Sequence, residues 1–131
     1  MSERTNPMLA IEGLAIEIES NRIVDGVSLG VETGRILAIV GESGCGKSLT
    51  ALSVLGLLPG AARISGGSIR LGGRELTGLS EAELSEVRGN DAAIIFQEPV
   101  ASLNPLMRVG EQVEEALLLH RGLSRAAARE E

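Results

Sequence analysis

Aromatic residues are almost absent from the sequence: Phe96 is the only phenylalanine, and there is no tryptophan or tyrosine. With a single cysteine, Cys45, the chain cannot form an internal disulfide, which agrees with a reducing compartment. The net charge is −6, and without a basic patch no nucleic-acid partner is expected. No apolar run is long enough to span a bilayer, and the N-terminus lacks the apolar core of a signal peptide. We therefore expect a soluble, cytoplasmic chain that reaches a membrane only through a partner.

What the sequence does contain is a glycine-rich motif between an apolar run and a helix-forming segment. Residues 41–48 read GESGCGKS and fit G-x-x-x-x-G-K-[ST], the phosphate-binding loop. Residues 36–40 (ILAIV) have the composition of a buried parallel strand, and residues 47–58 predict a helix that stops at Pro59. The order strand, loop, helix favours a phosphate site over the alternative, a glycine-rich turn before a core helix.

The residue types of this loop suit a nucleotide. Gly41, Gly44 and Gly46 allow the backbone to curl tightly and to adopt positive φ, so that successive N–H groups form an anion-binding concavity. Lys47 is expected to reach the β- and γ-phosphates of ATP, and the Ser48 hydroxyl is expected to bind Mg²⁺. The expected nucleotide-binding residues are Gly41, Glu42, Ser43, Gly44, Cys45, Gly46, Lys47, Ser48 and Leu49.

Strand patterns dominate the first half of the chain. Residues 8–19 alternate apolar and polar side chains around Gly13, which predicts a strand. Shorter strands are predicted at residues 27–31 and 68–71, the latter between tight glycine turns. Residues 92–97 (AAIIFQ) predict a second buried strand.

Helix signals are strongest in the second half. Ser80 and Glu83 fit a capping box for a short helix over residues 81–88. Residues 109–120 carry apolar side chains at helical spacing, and Gly122 fits the stop signal of that helix.

The end of the sequence predicts one further helix. Ser124 fits its N-cap, and the helix-forming sequence continues to Glu131 without a stop signal, so we expect the N-terminal part of something longer. His120 is expected to favour the dipole at the end of the preceding helix. Three carboxylates are expected to form a solvated helix face: Glu111, Glu114 and Glu115.

A second motif makes the interpretation more specific. Residues 88–112 read RGNDAAIIFQEPVASLNPLMRVGEQ, and residues 117–131 read LLLHRGLSRAAAREE. Together with the phosphate loop, they resemble the ATP-binding subunits of ABC transporters, most closely the oligopeptide, dipeptide, nickel and glutathione importer group. The resemblance extends from Leu9 onward. It implies an α/β fold with a P-loop NTPase core of the ABC ATPase type, an antiparallel β subdomain and the start of a helical subdomain, truncated at the C-terminus.

The resemblance also implies domain limits and roles. Residues 1–97 would form the β subdomain and the P-loop core up to the Q-loop, and residues 98–131 the Q-loop and the start of the helical subdomain. Gln97 would contact Mg²⁺ or the attacking water, whereas its alternative role is that of a polar strand end meeting solvent. The candidate catalytic residues are therefore Lys47 and Gln97, and the candidate metal ligands are Ser48 and Gln97.

The implied function is transport. Such a subunit couples MgATP binding and hydrolysis to the uptake of peptides or a similar small solute, at the cytoplasmic face of the plasma (inner) membrane. Residues 98–108 would form part of the groove for the coupling helix of a transmembrane permease subunit. A second ATP-binding cassette would complete the dimer, and a periplasmic or extracellular solute-binding protein would act indirectly.

The sequence departs from the family pattern at two places. Residues 16–22 offer no aromatic side chain for the adenine, so we expect Ile18 or an aliphatic neighbour to contact it. The signature motif, the Walker B aspartate, the catalytic glutamate and the switch histidine do not occur in these residues. By itself the chain is therefore expected to bind nucleotide weakly, to hydrolyse none and to fold poorly. Two alternatives stay open: another P-loop NTPase such as a small-molecule kinase, or a non-catalytic nucleotide-binding module.

Overall fold

The structure is a computed structural model that describes residues 7–130. The chain divides into two compact units, Met1–Leu84 and Ser85–Glu131. This division reflects which residues contact one another. The domain boundary expected at Gln97 is based on the subdomains of a family, and it stays a prediction. No helix in the described part of the chain is long and apolar enough to cross a membrane.

The first unit is built around a four-stranded antiparallel sheet with the strand order β2-β1-β3-β4. The strands predicted at residues 8–19, 27–31 and 68–71 are present, but β2 and β3 begin earlier than expected. Glu19 and Ser20 both have positive φ, 47° and 73°, and form the two-residue turn between the first two strands. The bounds are β1 Leu9–Ile18, β2 Asn21–Val31, β3 Ala62–Leu71 and β4 Arg74–Glu75.

The central strand β1 carries a bulge at Gly13, where the register shifts against both neighbouring strands. Gly13 has a φ of 58°, and its N–H donates to Ser28 Oγ at 2.8 Å. On both sides of this bulge the large side chains are buried, with exposed fractions of 2% or less for Ile11, Leu14, Ile16 and Ile69. The apolar core of the sheet therefore lies along β1 and β3.

The strands predicted at residues 36–40 and 92–97 are wrong for this structure. Neither run joins a β-ladder; the second contributes only an isolated bridge between Arg88 and Ala92. Ile36 is 98% exposed and Ile95 is 90% exposed. A buried parallel strand needs hydrogen-bonded neighbours and cover on both faces, and no residue among 7–130 pairs with either run as a strand.

The helix after the glycine loop is shorter than predicted. α1 covers Lys47–Val54 instead of residues 47–58. Gly56 adopts a φ of 63°, its N–H donates to Ser53 O at 3.2 Å, and the Leu57 N–H donates to Leu52 O at 3.0 Å. This pair of bonds is a Schellman motif, so glycine ends the helix before Pro59 can.

The capping box predicted for the next helix is confirmed. α2 covers Glu81–Val87. The Ser80 N–H donates to Glu83 Oε2 at 2.8 Å, and the Glu83 N–H donates to Ser80 Oγ at 3.4 Å. The Ser80 bonds hold the pKa of the Glu83 carboxyl below its usual value.

The second unit contains a 3₁₀ helix, Pro99–Ser102, followed by α3, Val109–Arg121, and α4, Arg125–Glu130. Gly122 has a φ of 60° at the end of α3, as its sequence position predicted. The N-cap prediction for Ser124 is confirmed, because the Ala127 N–H donates to Ser124 Oγ at 3.3 Å.

Two side chains of α3 have more contacts than the sequence predicted. Glu114 is not part of a solvated face: its side chain is mostly buried and pairs with Arg129 of α4 at 2.8 Å. His120 lies in the last turn of α3, as expected, and also packs against Gly89. A Cβ atom at Gly89 would come within 2.8 Å of His120 Nε2, so this contact requires glycine.

Candidate functional site

The glycine loop curls through two residues with left-handed backbone conformation. Gly44 has a φ of 81° and Gly46 a φ of 90°, as predicted for a phosphate-binding loop. Gly41 does not have positive φ. Its lack of a side chain serves a close approach instead, because a Cβ atom there would lie 2.7 Å from Cys45 Sγ.

Gly46 fixes where the loop meets the sheet. It is the N-cap of α1, and a Cβ atom on it would lie 2.7 Å from Val24 Cγ2 and 3.5 Å from the Ile23 carbonyl oxygen. The loop therefore packs directly on β2, and any side chain at Gly46 would push the two apart. Sequence reasoning did not identify this role of Val24, because nothing local to β2 marks it as a support for a loop two dozen residues on.

Thr50 is a second supporting residue that the motif does not include. Its N–H and its hydroxyl both donate to the Gly46 carbonyl oxygen, each at 2.9 Å. Thr50 is buried. Threonine at this place in a helix bonds back to the preceding turn, and here that bond ties the last glycine of the loop to α1.

Lys47 is the only lysine of the chain, and its ammonium group lies within the loop. Its Nζ donates to the Gly41 carbonyl oxygen at 2.8 Å and to the Glu42 carbonyl oxygen at 2.6 Å. Nζ also lies 3.4 Å from Cys45 Sγ. Within residues 7–130 no carboxylate pairs with Lys47, so neutral acceptors alone hold its charge across the loop.

Two open cavities border the loop. One, of about 150 Å³, is lined by Gly44, Gly46, Lys47, Ser48 and Leu49. The other, of about 230 Å³, lies between the loop and β2 and has a mostly apolar lining that includes Val24, Val27 and Val40. Ser48 is exposed, and its hydroxyl makes no hydrogen bond to another described residue. The first cavity thus combines a cation, a free hydroxyl and glycine backbone, which suits a phosphate group.

The described residues include no group of three or more His, Cys, Asp or Glu side chains that could hold a metal ion by themselves. A cation at the loop would need oxygen atoms from a bound phosphate in addition to the Ser48 hydroxyl. This fits the way in which Mg²⁺ is usually bound, through few protein ligands together with substrate phosphates.

The other candidate residues lie outside the loop. Gln97 is exposed and belongs to the second unit, in an irregular segment before the 3₁₀ helix. Its catalytic and metal-binding roles stay predictions. Ile18 is half-buried at the end of β1, directly before the turn at Glu19 and Ser20. The structure thus brings together the predicted residues of the loop.

Comparisons with known proteins point to one family. Residues 24–131 match the family model described as ABC transporter. The chain is 50% identical over 108 residues to the oligopeptide transport ATP-binding protein OppD of Salmonella typhimurium, covering 82% of this chain and 32% of that protein. It is 48% identical over 132 residues to YejF, an uncharacterized ABC transporter ATP-binding protein of Escherichia coli, covering 97% of this chain and 25% of that protein.

A solved structure shares the fold. The ATP-binding cassette MJ0796, a dimer in a post-hydrolysis state bound to ADP and Pi, aligns with a TM-score of 0.78 at 23% identity. The alignment covers 94% of this chain and 53% of that one. This likeness confirms the predicted ABC ATPase fold class. The chain spans about a quarter to a third of the length of the curated relatives described above.

Proposed function

The chain belongs to the ABC transporter family, and from this membership and the geometry of its glycine loop we propose that it binds MgATP. The observation that carries the proposal is the position of Lys47, whose ammonium group is held by two carbonyl oxygens of the loop beside an open cavity. An anion entering that cavity meets a cation that no carboxylate of the described residues neutralises. Family membership also argues against the kinase alternative.

Each residue of the loop has a definite task in this proposal. The left-handed conformations of Gly44 and Gly46 would direct N–H groups at the phosphates, and the N-terminus of α1 would add its dipole. Lys47 would bind the β- and γ-phosphates, and Ser48 would bind Mg²⁺. Leu49 lines the same cavity, and Glu42, Ser43 and Cys45 would contribute the rest of the loop around the nucleotide. The bound nucleotide supplies a γ-phosphoryl group that can be transferred to water.

The activity of the whole protein is part of the same proposal. We infer an ATP-hydrolysing subunit of an importer for peptides or a similar small solute, at the cytoplasmic face of the membrane. Gln97 would orient the attacking water or Mg²⁺, and residues 98–108 would contact a permease subunit. Hydrolysis would further need a second cassette and the signature, Walker B and switch-histidine elements, and a solute-binding protein would deliver the substrate. The names of the similar proteins, which include a peptide transport protein, support this proposal.

The direct test is MgATP binding by calorimetry to the chain and to the variant Lys47→Ala. We expect an affinity roughly 100-fold or more below that of the parent, because charge-assisted hydrogen bonds to phosphate contribute about 1.5–3 kcal/mol each. The matched control is Arg35→Ala, which removes one positive charge from an exposed side chain outside the loop. Equal affinity of the Lys47 variant and the parent would refute the site.

A further inference from the structure

The side chain of Gln112 attaches the middle of the loop between the 3₁₀ helix and α3, residues 103–108, to the helix. Gln112, in the first turns of α3, accepts a hydrogen bond from the Asn104 N–H at Oε1, at 2.8 Å. Its Nε2 donates to the Asn104 carbonyl oxygen at 3.0 Å and to the Met107 carbonyl oxygen at 3.1 Å. The carboxamide of Gln112 therefore pairs with the backbone of Asn104 as the peptide group of a neighbouring strand would.

Hydrogen bonds between residues that are close in the sequence complete the shape of the same loop. The Asn104 side chain accepts the Leu106 N–H at 3.0 Å, and the Asn104 carbonyl oxygen also accepts the Met107 N–H at 3.2 Å. The Glu111 carboxylate accepts the Arg108 N–H at 3.4 Å, a longer bond. All of these local bonds span at most three residues along the chain. The Gln112 bonds to Asn104 span eight and are the ones that attach the middle of the loop to the helix.

The fixed loop presents apolar side chains to solvent. Leu106 is almost fully exposed, and Leu103 and Val109 are also exposed. Ordering a backbone segment costs conformational entropy, and a binding segment that is already ordered avoids that cost when its partner binds.

We propose that Gln112 is the positioning residue of the loop formed by residues 103–108, setting the conformation in which Leu103 and Leu106 are presented to a partner. We identify this partner as the permease subunit, and that identification rests on the proposed function. The positioning role of Gln112 does not depend on it. Glutamine suits the task because its amide offers an acceptor and two donor hydrogens, which match one N–H and two carbonyl groups. An ionised glutamate could only accept, and methionine could not donate and would accept only weakly.

The test uses two variants of the free chain, Gln112→Met and Gln112→Glu, with Glu115→Gln as the control on an exposed position of the same helix. The readout is the protection factor of the Asn104 amide in residue-resolved hydrogen exchange. We expect a loss of tenfold or more in Gln112→Met, no change in Glu115→Gln, and unchanged protection of β1 in both.

The Gln112→Glu variant separates positioning from general stability. At neutral pH the introduced carboxylate could still accept the Asn104 N–H, but it would be repelled by the Asn104 and Met107 carbonyl oxygens, which the Gln112 Nε2 contacts in the parent. The loop should therefore move away from the helix, and Asn104 protection should be low. As the pH falls and that carboxyl gains a proton, protection should rise, whereas in the parent it should not. This pH profile of Asn104 protection tests the positioning role even if Gln112→Met unfolds α3. Full Asn104 protection in Gln112→Met, or a flat profile in Gln112→Glu, would overturn the proposal. Neither result depends on bound nucleotide, so this proposal can fail while the MgATP proposal stands, and the reverse.

Discussion

Isoleucine side chains differ in exposure between the antiparallel sheet and the apolar runs at residues 36–40 and 92–97. Ile16 and Ile69 are completely buried in β1 and β3, whereas Ile36 and Ile95 lie almost fully in solvent. All four side chains are isoleucine, so the hydrophobicity of the residue cannot explain the difference. The difference is that β1 has a hydrogen-bonded strand on each side, and neither run has one within the described residues. An apolar run becomes a strand only where another segment pairs with it.

This difference has an energetic side. Full burial of an isoleucine side chain stabilises a fold by about 1.5–3 kcal/mol relative to exposure. The exposed runs contribute little of that free energy and present apolar surface that favours association. We therefore expect the stability of the first unit to come from the sheet and the loop packed on it.

The largest effect should come from truncating the core of the sheet. Ile16→Ala should lower the free energy of unfolding by about 2–5 kcal/mol, because it removes fully buried methylene and methyl groups and leaves a cavity. Ile36→Ala is the matched control and should change it by no more than about 0.5 kcal/mol. Urea unfolding followed by circular dichroism measures both. If the two substitutions cost the same, the runs are as well packed as the sheet.

The bulge in the centre of the sheet gives the next effect. Gly67 has a φ of 88°, and a Cβ atom there would lie 2.5 Å from the Gly13 carbonyl oxygen and 2.6 Å from that of Glu12. Gly67→Ala should therefore cost about 1–3 kcal/mol through strain and backbone displacement. Gly60→Ala, outside the sheet and with no atom within 4 Å of the new Cβ, should be close to neutral. Equal melting temperatures for the two variants would mean that the bulge tolerates side chains.

Much of this fold could be predicted where the signal is local. The alternation of residues 8–19, the Ser80–Glu83 capping box and the glycines of the phosphate loop each act over a few residues, and the structure contains all three features. The strand predictions for residues 36–40 and 92–97 are wrong because parallel pairing depends on segments far away in the sequence. Pro59 predicts a later helix end than the structure has, because Gly56 ends the helix first.

The candidate site shows the same division. The motif predicted Gly44, Gly46 and Lys47, whose roles depend on the backbone of their own loop. It did not reveal Val24, which supports the loop from another element, or Thr50, which lies beyond the motif. Those contacts follow from packing, and a pattern of adjacent residues does not record it.

A smaller effect should appear in the pH dependence of the sheet edge. Thr77 holds the pKa of the Glu75 carboxyl below its usual value, and the Ile69 and Thr77 N–H groups add to this lowering. The ionised form is therefore favoured in the folded state. Its contribution to stability is present above the unfolded pKa of about 4.5 and is lost as the pH falls through the folded value.

We expect the stability difference between the parent and Glu75→Gln to shrink between about pH 6 and pH 3, since the parent loses this contribution and the variant has none to lose. Glu32→Gln, which alters an exposed carboxylate outside the sheet, should leave the pH profile of the parent unchanged. Thermal unfolding at a series of pH values supplies the curves. A stability difference between the parent and Glu75→Gln that grows toward low pH would contradict this prediction.

The central claim is that pairing, and not apolar composition, decides which segments of this chain are ordered. Residue-resolved amide hydrogen exchange on the chain tests it most directly. The account predicts strong protection for the amides of β1 and β3 and exchange within about tenfold of unstructured peptide for residues 36–40 and 93–96. Protection of residues 36–40 equal to that of β1 would contradict it.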